Sequence, residues 1–359
     1  MNNNSCKFKK KKMKSLCDER LSIESQTHGY YWEEDKTIHL SIEEFIDLHG
    51  KGYPVISSFF CGAVNRAFFP LASKLISENR GQVMIITINK LQTDFIKSFL
   101  STHNLDCLVM EESVFSDKCK RELGFCDDIY NNIRYFLVYS AEDIPHFVGR
   151  ELFFNHQSFW QFVDKSQILP IWKGKWIYPS LNDYIDCYNV GILGNENILR
   201  FTTYLFSSKM PADCVKDGHI GPKPYLLKID NQWEWILSKI QESQSKSIAI
   251  LFQRDRDVRN AYQSFIQNGV SVEVKYDLGE EKMDNVEFNS NVPKVLTYYC
   301  SKGLLFDTVI MPMESNFKMS KRLTTIAAST AYNRLFVIYD KMPDMFREIP
   351  SSLYNIEYG

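Results

Sequence analysis

The sequence predicts an α/β protein of two domains, each a mostly parallel sheet flanked by helices. Three observations lead there. Short, continuous apolar runs at 82–87, 247–252 and 306–311 are rich in β-branched residues, as strands buried on both faces of a parallel sheet are. These runs alternate with helical spacing: 54–58, 66–78 and 82–87 read as strand, helix, strand, the crossover unit of such a sheet. A chain of 359 residues with 44% hydrophobic and 14% aromatic content is also long enough for two cores.

Taken in order, residues 1–40 form a polar, aperiodic tail, expected to be disordered. Residues 1–14 carry six lysines and no acid, so the remainder holds 36 basic against 44 acidic residues, a net −8. Such a tail either tethers nucleic acid or an acidic partner, or is a solubilising end, and Met13 is an alternative start. The first domain spans 41–186. It opens with a short helix over 41–50, capped by Ser41 and stopped by Gly50. Residues 59–65 form the loop between the first strand and its helix, and 134–140 is a strand that runs into Glu142 and Asp143. The aromatic-rich stretch 146–185 suits core and interdomain packing or base stacking. Glycines and prolines punctuate 187–224, read as a linker. The second domain spans 225–345, with strands at 247–252 and 270–276 around a helix at 255–267, and 346–359 is read as a C-terminal tail.

The most informative stretch is 292–312. Val295 to Tyr298 is a strand, Ser301-Lys302-Gly303 a turn, and Phe306 to Met311 a second strand. An ammonium and backbone N–H groups at a strand end suit a phosphate, whereas a plain β-turn leaves the lysine to solvent.

This stretch resembles motif V of superfamily I helicases of the UvrD/Rep type, through Thr297, Ser301, Lys302, Gly303, Leu304, Phe306 and Asp307. Thr87-Ile88-Asn89-Lys90 is similar to the family's motif Ia, and 325–339 to the frame of its motif VI. The resemblance implies two RecA-like domains of the P-loop NTPase type. It also implies nucleic-acid contacts at Thr87, Asn89, Lys90, Thr297, Ser301, Lys302 and Gly303.

The departures share a direction. The loop at the P-loop position has one glycine, Gly62, and no lysine, with Arg66 as the nearest cation. Tyr139 and Ser140 stand where the family has its magnesium-binding Asp and the Glu that prepares the attacking water. Tyr299 and Leu305 replace the family's His and Glu, and its arginine finger falls on Thr330. Arg200 lies near the place of the family's γ-phosphate arginine. Gly62, Arg66, Glu142 and Asp143 are therefore vestigial in this reading. The expectation is a helicase-like pseudoenzyme with no cofactor and no metal, binding single-stranded DNA or RNA or regulating a protein partner such as a nuclease. The alternative is an active ATP-dependent helicase using ATP and Mg through Arg66 and Glu142-Asp143.

Nine scattered cysteines, none spaced Cys-x-x-Cys, read as reduced thiols. Without a long apolar run or a signal-peptide core, the expected compartment is the cytoplasm, with no membrane partner.

Overall fold

The computed structural model describes residues 55–59, 63–79, 81–115, 133–140, 159–164, 184–186, 194–206, 220–242, 247–313 and 320–359, the stretches 55–59, 63–67, 159–164 and 184–186 by their backbone alone. The tail, the 41–50 helix, Gly62, Glu142 and Asp143 lie outside the described residues, as does the side chain of Arg66.

The first sheet has six strands: β1 (Val55–Phe59), β2 (Val83–Thr87), β3 (Leu108–Glu111), β4 (Tyr135–Val138), β5 (Phe159–Asp164) and β6 (Tyr184–Asp186). Their order is β3-β2-β4-β5-β1-β6, and every pairing is parallel. Helix α1 (Ala63–Glu78) follows β1, and α2 (Lys90–Thr102) follows β2. The crossover unit read from sequence is present, but β4 and β5 stand between its two strands. β2 and β4 are wholly buried, which is why both read as unbroken apolar runs.

The second sheet has eight strands. They are β7 (Tyr225–Lys228), β8 (Ile248–Phe252), β9 (Glu273–Asp277), β10 (Lys282–Asp284), β11 (Lys294–Thr297), β12 (Phe306–Met313), β13 (Ala331–Tyr339) and β14 (Asn355–Tyr358). The order is β10-β9-β11-β8-β12-β13-β7-β14, with only the β10–β9 pair antiparallel. Both faces are covered. Strand β8 shows how: Ala249 and Leu251 enter one core, while Ile248, Ile250 and Phe252 enter the other. Helices α4 (Gln232–Glu242) and α5 (Asp255–Gln267) cover the latter through Ile236, Val258 and Phe265. Helices α3 (Glu196–Phe206) and α6 (Lys321–Ser329) cover the former through Ile198, Phe201 and Ala327.

Two boundaries differ from the sequence reading. Helix α3 lies within the stretch read as linker, yet Ile198, Phe201 and Leu205 are fully buried in the second domain's core. Glycines and prolines on both sides masked its apolar stripe. Strand β14 lies within the stretch read as tail, yet it pairs in parallel with β7, so the sheet continues to residue 358.

Beside β11 sits a buried ion pair. Lys294 Nζ lies 2.9 Å from Glu273, with side chains 5% and 12% exposed. The ammonium also donates to Val292 O (2.7 Å) and Ser290 Oγ (2.8 Å), and the carboxylate accepts from Glu287 N (2.7 Å) and from Ser290 Oγ. Burial holds the Lys294 pKa below the usual lysine range, against the pull of Glu273. The network fixes the loop between β10 and β11, whose Phe288 and Asn289 reach the first domain.

Candidate functional site at the seam between the sheets

In open α/β sheets ligands collect outside the carboxyl ends of the strands. The loop that leaves β11 at Thr297 is a tight helical turn, with Ser301 N donating to Thr297 O (3.0 Å) and Leu304 N to Ser301 O (3.0 Å). Thr297 Oγ1 accepts from Cys300 N at 3.1 Å, and Ser301 Oγ donates to Tyr298 O at 2.9 Å. Both hydroxyls thus bond within the loop. Gly303 adopts φ +77°, and a Cβ there would lie 2.4 Å from Gln92 Nε2 and 3.0 Å from Ser140 Oγ. Left-handed backbone and close approach both require glycine.

The first domain closes over this turn. Gln92 Nε2 donates to Lys302 O (3.1 Å), and the Tyr139 hydroxyl donates to Gly303 O (2.5 Å). The Phe95 and Phe288 rings meet at 5.2 Å, and Ser98 Oγ donates to Asn289 Oδ1 (2.5 Å). As a result Thr297, Ser301 and Lys302 are 4%, 0% and 4% exposed. The alternative of a solvated turn lysine is thereby corrected: the second domain's phosphate candidates line a domain seam, and their side chains do not stand on the surface. The covering residues come from a domain some 200 positions away in sequence, as the Gln92–Lys302 separation of 210 shows.

The first-domain candidates divide. Thr87 is fully buried and shares its hydroxyl with Thr93 at 2.5 Å. Asn89 is exposed and caps α2, its Oδ1 accepting from Gln92 N at 3.0 Å. Lys90 is 67% exposed and paired with Asp94 at 2.7 Å, which raises its pKa. Gln92, one turn into α2, joins the two motif-like stretches, and no pattern in the sequence marked it.

Tyr139, which the resemblance sets at the place of the family's magnesium ligand, is wholly buried and packs on Phe68 (4.6 Å between ring centres) and Phe69 (6.1 Å). Ser140 follows with φ +52°, also buried, its Oγ without a hydrogen-bond partner. Thr330, where the resemblance sets the arginine finger, is buried and donates to Ala327 O at 2.7 Å at the end of α6. Arg200 is held by Glu196 at 2.5 Å. Among the described residues no group of three or more His, Cys, Asp or Glu is placed to hold a metal. A phenol bonded to a carbonyl gives position 139 no carboxylate oxygen of the kind magnesium takes from protein. No helix among the described residues is long and apolar enough to cross a membrane.

The sequence matches no protein-family model and no curated protein. Solved structures similar to the chain include helicases. The C-terminal domain of a possible DNA helicase from Lactobacillus plantarum is 15% identical, with 46% of this chain and 97% of that chain covered and a TM-score of 0.35. A Pif1 helicase, from a study of unwinding at forked double-stranded DNA, is 10% identical, with 90% and 95% covered and a TM-score of 0.49. The helicase of PRRSV is 11% identical at a TM-score of 0.44, and the alignment covers 83% of this chain but only 55% of that one. All three likenesses are distant.

Proposed function

We propose that the chain is a helicase-shaped module that binds single-stranded DNA or RNA without hydrolysing ATP. What supports this reading above all is Tyr139. Where the family has the carboxylate that anchors magnesium, this chain has a buried phenol whose hydroxyl bonds Gly303 O across the domain seam. The group that should hold the fuel instead ties the domains together. Thr330 adds to this, because a capping threonine supplies no positive charge to a phosphoryl transition state. The kinship to UvrD/Rep helicases rests on the motif V, Ia and VI likenesses.

On this reading nucleic acid runs along the carboxyl ends of the strands, past exposed Asn89 and Lys90 and past Tyr299, which is 52% exposed. The acidic body opposes a polyanion, so binding is expected at low salt and falls steeply as salt rises. The test pairs ATPase measurements, with and without single-stranded DNA, with a salt titration of oligonucleotide binding. Expected are no turnover and salt-sensitive binding weakened by Lys90→Ala. DNA-stimulated turnover abolished by Asp143→Ala overturns the proposal. Absence of binding at low salt leaves a protein partner, such as a nuclease, as the occupant of the scaffold.

A further inference from the structure

A cavity of about 110 Å³ opens at the carboxyl ends of β8 and β12, between the first turns of α4 and α5. None of the residues to which the resemblance gave nucleic-acid contacts lines it. Its apolar wall includes Trp233, Phe252 and Met313, and its polar rim is Gln232, Gln253 and the Arg254–Asp257 pair.

Three features define what fits. Trp233 is 37% exposed, yet its ring is braced edge-on by Phe265 at 5.5 Å and lies near Phe252 at 6.4 Å. A ring already held in place stacks on a planar group with little further loss of rotamer freedom. Next, the charge is balanced. Arg254 grips Asp257 through two bonds, Nε to Oδ2 at 2.7 Å and Nη2 to Oδ1 at 2.9 Å, so the rim carries no net charge to attract a phosphate. Two glutamine amides beside it present donors and acceptors together, the complement of the edge of a nucleobase. Lastly, a volume of about 110 Å³ leaves room for a single ring system.

We propose that this cavity receives a single base of a bound nucleic-acid strand, stacked on Trp233 and read along its edge by Gln232 and Gln253. The inference rests on the single-strand reading above and deepens it. A strand, and not a free nucleoside, is favoured by location. Phe252 pairs with Thr297, and Tyr298 N donates to Phe252 O at 2.7 Å, so the Phe252 wall of the cavity adjoins the end of β11, from which the loop with exposed Tyr299 departs.

The experiment measures the full chain binding a short labelled oligothymidylate, its abasic analogue of equal length, and free thymidine. Expected for the unaltered chain is tighter binding of the base-bearing strand than of the abasic one, with thymidine far weaker. Trp233→Ala should weaken the base-bearing strand by about five- to a hundred-fold and leave the abasic strand unchanged. Gln253→Leu, which leaves the aromatic wall intact, should lower the preference in the same direction and decides the matter if Trp233→Ala fails to fold. Equal effects on both strands, or no effect, overturn the base pocket while the single-strand reading stands. Thymidine bound as tightly as the strand overturns the strand as occupant. An unaltered chain that binds no strand at low salt removes the single-strand reading and this inference with it.

Discussion

Tyr298 shows how much a single residue's surroundings decide. It is completely buried, and its hydroxyl has no hydrogen-bond partner. An unpartnered buried hydroxyl costs about 1–3 kcal/mol, so Tyr298→Phe is expected to stabilise the fold by up to that amount, measured by urea unfolding at neutral pH. A loss of stability in the Phe variant sinks the idea. Burial also pushes the Tyr298 pKa well above the usual tyrosine value. A raised folded pKa means stability is fully present below the unfolded value of about 10 and is lost as pH climbs beyond it, because the unfolded chain ionises first. The unaltered protein should therefore lose stability above about pH 10 more steeply than the Phe variant. None of this was legible in the sequence, where Tyr298 looked like any strand aromatic.

At the scale of elements, the loop between β10 and β11 is ordered by charge as much as by apolar packing. Glu273 and Lys294 satisfy each other and the backbone at 287–292 while nearly excluded from water. Removing one partner strands the other, so Lys294→Ala is expected to cost about 3–5 kcal/mol, whereas a Lys294→Met, Glu273→Leu double change should cost much less. Chemical denaturation of both variants checks this, and equal losses count against the pair as the cause. The elements themselves were largely readable. Strands β2, β8 and β12 stand where the apolar runs predicted them and β11 where Val295 to Tyr298 was read as a strand, because strands covered on both faces are mostly apolar. Helix α3 escaped notice because it was hidden among turn residues, and strand β14 fell in the stretch read as a C-terminal tail.

The whole molecule turns on the seam. Tyr139 and Gln92 each donate across it to a backbone carbonyl of the 302–303 turn, and Phe95 meets Phe288 alongside. Tyr139→Phe and Gln92→Ala each leave a buried carbonyl short of a partner, at a cost of about 1–3 kcal/mol apiece. Differential scanning calorimetry should show one cooperative transition for the unaltered chain and a lower or divided one for the double variant. An unchanged single transition means the seam is held elsewhere. A motor that cycles must open such a seam, whereas a binding module gains from keeping it closed.

By itself the sequence determined the two mostly parallel sheets and the strand–turn–strand at 292–312, since apolar periodicity and turn chemistry are local properties. Only the tertiary structure decided that Lys302 is covered, that Tyr139 bridges two domains and that Trp233 walls a cavity. Burial and pairing depend on which distant surfaces meet, and a linear pattern carries no record of that.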